Sequence, residues 1–339
     1  MSHTDRYAIT PQMADYDQIG RRQQWVPYLM LFCEPDCVFP SVTTDCMGFR
    51  TTLDADDRPI KSGVLHSSES FERCSVVVGG STVFGVGATH DRHTIPSVLN
   101  RVCRGVWTNL GGRAFNSTQE VILFLLHMPR RPERILLFSG VNNLAMTSIN
   151  QGASPIYGAF IHQRRFEAAM NNRQREHYVR RLIDRLSKGC RRLLTRNRAS
   201  GTPPYDLAEH YSDMLTCFDR DLRVFNTLAR GLGVPLYFAL QPLATWIDKR
   251  LSPEEQEIFA LLDKLQGPEW QVLKSGLGLV RDQYFGDLAR ICAREGVPFC
   301  NMNHEPVFRE DSWLFVDRVH LTDRGHAADA DVLKREFNL

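Results

Sequence analysis

The sequence predicts a three-layer α/β/α fold, in which helices cover both faces of a mainly parallel, five-stranded sheet. From about residue 74 onward, short β-rich runs alternate with longer stretches of helical spacing. Parallel strands need long crossover connections, and helices usually supply them. A chain of 339 residues with 43% hydrophobic and 24% charged residues is large enough to bury one substantial core of this kind.

Five apolar runs predict the strands of the sheet. In chain order they are Ser75–Gly80, Val106–Leu110, Arg134–Ser139, Pro235–Leu240 and Val297–Asn301. Between the first three strands, helical spacing covers Ile95–Gly105, and a second helix begins at Ser117. The pattern Ser117-x-x-Glu120 before an apolar run is typical of a capping box at a helix N-terminus.

Three further segments depart from this alternation. We expect residues 1–70 to form an N-terminal extension packed on the core, with strands near Trp25–Phe32 and Gly48–Thr52, and residues 71–339 to form the main domain. Two helical insertions interrupt that domain. The first is a cap at about residues 145–233, with helices predicted over Tyr157–Arg198 and Leu207–Leu232, and the second covers about residues 246–295.

Composition excludes several classes of protein. The polar N-terminus is unlike a signal peptide, and the longest apolar run, Val121–Leu126, is far too short to span a membrane. We therefore expect a cytoplasmic protein. Nine scattered cysteines predict reduced, mostly buried thiols in a chain of this size. A metal site at Cys33, Cys37 and Cys46 is the alternative, but paired knuckles and a fourth ligand are missing, so we predict no metal.

The net charge of +2 is close to neutral, but its distribution is uneven. Between Arg164 and Arg198, twelve Lys or Arg residues face only three acidic residues. Such a run is usually a solvated helix face, but it can also attract an anionic ligand or an acidic carrier protein. Nucleic acid is not expected, because no recognised binding module accompanies the charge.

Polar residues that can carry chemistry follow three of the predicted strands. Ser81 follows two glycines, and Asn142 follows Ser139 and Gly140. Near the C-terminus, Asp317 and His320 are three residues apart, which on a helical turn would place them on one side. Taken singly, each pattern has an ordinary explanation as a tight turn, a turn asparagine or a surface ion pair.

Together and in this order, the patterns resemble the motif blocks of the SGNH (GDSL-like) hydrolases. The matching segments are Gly80-Ser81, Asn109-Leu110-Gly111 through Ala114, Gly140-Val141-Asn142 and Asp317-Arg318-Val319-His320. The chain departs from the family at Gly80, where an aspartate is usual, and at Ala114, where the oxyanion glycine falls. The resemblance implies a flavodoxin-like α/β fold with the active site at the carboxyl ends of the strands.

The resemblance also implies a mechanism that needs no metal or organic cofactor. Ser81 would be the nucleophile, His320 the general base and Asp317 its partner. The oxyanion would be held by Ser81, Ala114 and Asn142, with Gly112 as an alternative donor. His90 and His93, shortly after the nucleophile, are candidates for contact with substrate.

The function implied is that of an esterase or thioesterase acting on a small-molecule or carrier-bound acyl group. An acyltransferase with the same triad is the first alternative, with a substrate hydroxyl or amine replacing water as the acceptor. A binding protein that kept the fold without catalysis is the alternative from another class.

Overall fold

The structure is a computed structural model that describes residues 3–60, 62, 73–149, 156, 158–163, 166, 207–265 and 268–339. A 3-10 helix, His3–Ala8, opens the described chain. It is followed by helix α1 and two antiparallel hairpins. These elements are α1 (Met13–Arg21), β1 (Gln23–Val26), β2 (Met30–Cys33), β3 (Thr52–Leu53) and β4 (Pro59–Ile60).

The central sheet has five parallel strands in the order β6-β5-β7-β8-β9. They are β5 (Arg73–Gly79), β6 (Trp107–Gly111), β7 (Arg131–Ser139), β8 (Leu236–Leu240) and β9 (Phe299–Asn301). This is the flavodoxin-like order, in which the chain changes direction across the sheet between β5 and β7. The predicted fold class and all five predicted strands are confirmed.

Helices cover both faces of the sheet. They are α2 (Ser81–Phe84), α3 (Ile95–Val102), α4 (Ser117–His127), α5 (Val141–Ile149), α6 (Leu207–Leu232), α7 (Pro253–Leu265), α8 (Pro268–Glu295) and α9 (Asp323–Phe337). Alternating strand residues point to opposite layers: Val76 and Val78 pack toward α4, α6 and α8, and Val77 packs toward α3, α7 and α9. Within the described chain, no helix is long and apolar enough to cross a membrane.

Helix α4 begins at Ser117 as predicted, but its N-cap lies one residue before the one that the sequence pattern indicates. Its N-cap is Asn116, whose side chain accepts the N–H of Gln119 at 3.0 Å, and Gln119 reaches back to the N–H of Asn116. The predicted capping box of Ser117 and Glu120 is therefore wrong. Ser117 instead donates from its hydroxyl to Asp221 at 2.7 Å, and the buried Glu120 accepts from Ser139 at 2.6 Å.

The N-terminal residues 3–60 pack onto the segment that follows the first central strand. The buried Tyr16 hydroxyl lies 2.7 Å from the Gly85 carbonyl, and it also accepts a hydrogen bond from Arg50. Arg50 is fully buried and forms an ion pair of 2.6 Å with Asp91. The division of the chain into an extension and a main domain stays a prediction.

The two predicted insertions differ in how much of them the structure describes. In the second, two helices, α7 and α8, occupy most of residues 246–295. In the first, helix α6 matches the predicted Leu207–Leu232. Most of the predicted helix Tyr157–Arg198 lies outside the described residues, and so does the basic run Arg164–Arg198, apart from single positions such as Phe166.

Candidate active site

Ser81 lies at the carboxyl end of β5 and begins the short helix α2. A Cβ on Gly79 would lie 2.1 Å from the carbonyl oxygen of Phe138, and a Cβ on Gly80 would lie 2.6 Å from Asn142 Nδ2. Glycine is therefore required at Gly79, where the contact is with backbone, and a side chain at Gly80 would displace the Asn142 amide.

Two 3-10 helices, Met302–His304 and Pro306–Arg309, follow β9, and Asp317 and His320 lie on the loop of residues 310–322 directly before α9, which contains no helical turn. An isolated antiparallel bridge between Phe315 and Leu321 closes the base of this loop. Inside it, Asp317 Oδ1 accepts the backbone N–H of Val319 at 2.8 Å and that of His320 at 2.7 Å. The expected helical turn is therefore wrong. The two backbone hydrogen bonds to the Asp317 carboxylate bend the loop instead, and this bend brings the His320 side chain next to Asp317.

The three side chains form a continuous chain of hydrogen bonds. His320 Nε2 lies 2.8 Å from Ser81 Oγ, and His320 Nδ1 lies 2.8 Å from Asp317 Oδ2. Burial raises the pKa of the Asp317 carboxyl, but the charge and hydrogen bond of His320 and the two backbone donors lower it, and the net pKa lies below its usual value. Asp317 is therefore ionised at neutral pH and can hold Nδ1 as the donor, which leaves Nε2 free to accept the Ser81 proton.

The second motif block places one of its two candidate oxyanion donors at the site. Ala114 has a φ of +61°, a left-handed conformation that favours glycine and explains the glycine usual at this position in the SGNH family. Its N–H has no acceptor among the described residues. The N–H of Gly112 donates to the carbonyl of Gly79 at 2.9 Å, so it is already engaged between strands β6 and β5. Gly112 is therefore excluded as the alternative donor.

Asn142 follows β7 at the point where the sheet order reverses. Its Nδ2 donates to the carbonyl of Phe115 at 2.7 Å, which fixes the amide beside the Ser81 cleft and leaves one N–H for a ligand. Open α/β sheets bind ligands at this place, outside the carboxyl ends of the strands.

Helices of the second insertion anchor the loop that carries Asp317 and His320. Glu255 on α7 accepts the backbone N–H groups of Leu314 and Phe315 at 2.9 and 3.1 Å. Lys249 neutralises this fully buried carboxylate at 2.8 Å. A second contact joins the loop to the same helix: the guanidinium of Arg318, a loop residue, binds Asp263 on α7 at 2.6 Å.

Ser81, Ala114, Asn142 and His320 open into one cleft of about 670 Å³. Its other described lining residues are Arg6, Tyr7, Tyr16, Asp17, Gly20, Arg21, Gln23, Arg113, Ala145, Ile161, His162, Leu273 and Val319. Seven of them come from the N-terminal segment, to which the sequence assigned no role in the site. No local sequence pattern indicates that this segment lines the cleft, since contacts between residues far apart in the sequence bring it there. Arg113, next to Ala114 in the second block, could have been noticed.

His90 and His93 do not line this cleft. His90 caps the short 3-10 helix Asp91–His93 and is exposed, and His93 lies 3.8 Å from Asp323. Between them, Asp91 points inward to Arg50 and also accepts from the hydroxyl of Thr43 at 2.6 Å. This turn fastens the N-terminal segment to the core, and a contact of the two histidines with substrate stays a prediction that the described lining of the cleft does not support.

Comparison with known proteins finds similarity in structure only. No family model matches the sequence, and no curated protein matches it either. A lipolytic protein of the G-D-S-L family from Desulfitobacterium hafniense DCB-2 is 9% identical, with a TM-score of 0.44 over 78% of this chain and 98% of that one. An extracellular lipase from Streptomyces rimosus is 11% identical, with a TM-score of 0.41 over 78% of this chain and 99% of the other.

A third solved structure, the acetyl xylan esterase AlAXEase, is 10% identical and gives a TM-score of 0.40 over 78% of this chain and 98% of its own. These superpositions are loose, and the strand order and the placement of the motif residues identify the fold. The sheet has the flavodoxin-like order, and all four motif blocks meet at its carboxyl edge. The chain has an SGNH-like α/β fold.

Proposed function

We propose that this protein hydrolyses carboxylic esters through an acyl-enzyme on Ser81. The observation that carries the proposal is the hydrogen-bonded series from Ser81 Oγ through His320 to Asp317, with both steps at 2.8 Å, at the floor of an open cleft. The solved structures with a similar fold include an acetyl xylan esterase and an extracellular lipase, which are named for chemistry of this kind.

The reaction follows from the geometry in two balanced steps. Ser81 Oγ attacks the ester carbonyl carbon while its proton passes to His320 Nε2, and that proton then leaves with the departing alcohol. A water molecule next gives its proton to His320 and attacks the acyl-Ser81, which releases the acid and restores the serine. In both steps the N–H groups of Ser81 and Ala114 and the Asn142 amide stabilise the negative charge on the carbonyl oxygen.

Turnover of a panel of small 4-nitrophenyl esters tests the proposal, with the Ser81→Ala variant compared to Ser212→Ala. Ser212 is exposed on α6 and serves as the matched control. We expect the wild type and Ser212→Ala to release 4-nitrophenol at equal rates and Ser81→Ala to release it at the rate of the uncatalysed reaction. Equal turnover by Ser81→Ala would refute the proposal.

Thioesters and acceptor alcohols extend the same assay to the two related activities. Ser81 can take its acyl group from a thioester with release of the thiol, and the acyl-enzyme can pass that group to a hydroxyl or amine instead of water. Product analysis with an added alcohol separates hydrolysis from acyl transfer: free acid indicates a hydrolase, and a new ester indicates a transferase. A chain that binds these ligands but turns none over would be a non-catalytic binding protein.

A further inference from the structure

The described lining of the active-site cleft carries an excess of positive charge. Three arginines line it, Arg6, Arg21 and Arg113, and the one acidic residue among the described lining residues is Asp17. Asp17 is already occupied, because it forms an ion pair with Arg6 and accepts the Tyr7 hydroxyl at 2.6 Å. Arg21 and Arg113 have no carboxylate partner in the part of the chain that the structure describes.

Arg113 is held in place with most of its donors unused. Its side chain is half-buried, and Nη1 donates to the backbone carbonyl of Tyr16 at 2.8 Å. A Cβ on Gly20 would lie 3.1 Å from Nη1 and 3.3 Å from Nη2, so the last turn of α1 fits closely around the guanidinium. A guanidinium has five N–H donors, and this hydrogen bond uses one of them. The other donors have no acceptor among the described residues, and Arg113 is one of the residues that line the cleft.

Arg113 also lies directly before Ala114, whose N–H is a proposed oxyanion donor. A ligand group at the guanidinium would therefore be close to a carbonyl undergoing attack by Ser81. The planar fork of arginine matches two oxygens of a carboxylate or a phosphate better than it matches a neutral group.

We propose that the cleft selects esters that carry a second, anionic group, a carboxylate or a phosphate, bound chiefly by Arg113 and assisted by Arg21. This inference rests on the proposed ester hydrolysis and names its substrate class. Arg21 is exposed at the end of α1, and we assign it the smaller contribution because exposed charges are screened by solvent.

Arg113 could instead serve only to fasten α1 to the loop after β6. The two roles differ in what a substitution does to different substrates. A structural fastener would alter the turnover of all esters alike, mainly through stability or kcat. Loss of a binding group would raise KM for anionic esters alone, so the ratio of kcat/KM between anionic and neutral esters would change.

Matched pairs of esters make this distinction measurable. One pair carries the charge on the acyl side, mono-4-nitrophenyl glutarate against its methyl ester, and the other on the leaving group, 4-acetoxybenzoate against its methyl ester. We expect the wild type to favour the anionic member of at least one pair in kcat/KM by roughly 10- to 100-fold. In Arg113→Gln that preference should be lost through KM, and in Arg21→Gln it should be reduced.

Arg22→Gln is the control, because Arg22 packs over the Phe39 ring and does not line the cleft. It should keep the wild-type preference. A wild type that prefers neither charged ester, or an Arg113→Gln variant with an unchanged preference, would overturn the inference. If Arg113→Gln does not fold, Arg21→Gln and the competitive inhibition of the wild type by glutarate decide instead, and absence of both effects counts against the site.

The proposed function can fail separately from this inference. If the wild type turned over none of the esters, neutral or charged, the proposed ester hydrolysis would be refuted. Turnover of neutral esters at a serine-dependent rate, without any preference for charge, would refute only the anionic substrate class.

Discussion

The two halves of the active site are supported by different structures, and a buried glutamate lies beneath each of them. Ser81 and Asn142 extend from β5 and β7, strands of the central sheet, and Glu120 accepts from Ser139 at the end of β7. Asp317 and His320 lie on a loop without helix or strand, and Glu255 on α7 accepts two backbone N–H groups of the segment leading into it.

The two glutamates also differ in charge. Lys249 pairs with Glu255 at 2.8 Å, so a cation lies beside the carboxylate that accepts the loop's backbone N–H groups. Glu120 has no cationic partner among the residues that the structure describes. Burial raises its pKa to about 8, Asp221 raises it further, and the hydrogen bond from Ser139 acts in the opposite direction. The sheet can hold its half of the site without an ionic anchor, and the loop depends on one.

Substitution of Asp317 should have the largest effect on the loop half. In Asp317→Asn, the side-chain oxygen can still accept from Val319 and His320, but the amide favours the wrong tautomer of the imidazole. We expect kcat to fall on the order of 10⁴-fold with little loss of stability. Thermal unfolding and steady-state kinetics measure both quantities.

Asp317→Ala is the matched comparison, since it removes the loop contacts as well. It should lose a similar amount of activity and also unfold at a lower temperature. Equal unfolding temperatures for the two variants would contradict the role assigned to the Asp317 oxygen in folding the loop.

On the sheet half, Asn142→Ala should be milder. The backbone N–H groups of Ser81 and Ala114 remain to hold the oxyanion, and the loss of one donor typically lowers kcat by about 10²- to 10³-fold. The effect should fall on kcat with little change in KM, because the amide acts on charge that develops in the transition state. An unchanged kcat for Asn142→Ala would remove this residue from the oxyanion hole.

Two buried ion pairs allow the anchoring of the loop half to be separated from a general effect on stability. Glu255→Gln disturbs the anchor of the Asp317–His320 loop, and Asp91→Asn disturbs the Arg50 pair below the N-terminal segment. Breaking either pair leaves a buried cation and should cost about 3–5 kcal/mol of unfolding free energy. Only Glu255→Gln should also lower kcat, by up to about 10²-fold, because it shifts the base relative to Ser81.

The measurements are denaturant unfolding and ester turnover under conditions in which both variants are folded. If Asp91→Asn lowered kcat as much as Glu255→Gln, general loss of stability would explain the effect and the anchoring role would be rejected.

The smallest effect on activity, with a clear pH signature, is expected from Glu120→Gln. The pKa of Glu120 is raised from 4.5 to about 8 on folding, so the folded state favours the neutral acid. The wild type should therefore lose stability as pH rises from about 4.5 to about 8, by a few kcal/mol in total. Glutamine cannot ionise, so the variant should gain on the wild type across that interval, as measured by unfolding in denaturant. A stability difference independent of pH would contradict an uncharged Glu120.

These two halves also differ in how well the sequence predicted them. Strands and glycine turns are local, so the runs before Ser81 and Asn142 gave the sheet and its edge correctly. The Asp317–His320 loop was predicted as a helical turn, because spacing alone does not show that a carboxylate will accept two backbone N–H groups. At α4, Asn116 and Ser117 are both good N-caps, and the competition was decided by Asp221, which is distant in sequence.

The cleft wall was not predictable from local patterns. Tyr16, Asp17 and Arg21 line the cleft because α1 packs against residues after β5. The sequence of α1 itself contains no pattern that indicates this position. Their contribution requires contacts between residues about 70 positions apart, which periodicity and motif spacing do not encode.

The central claim is that Ser81 is the nucleophile, and covalent labelling with a fluorophosphonate tests it most directly. Mass spectrometry of the digested, labelled protein should place the modification on the peptide that contains Ser81. Labelling should be absent in Ser81→Ala, strongly slowed in His320→Ala and normal in Ser212→Ala. A label on any other residue, or undiminished labelling of Ser81→Ala, would contradict the account.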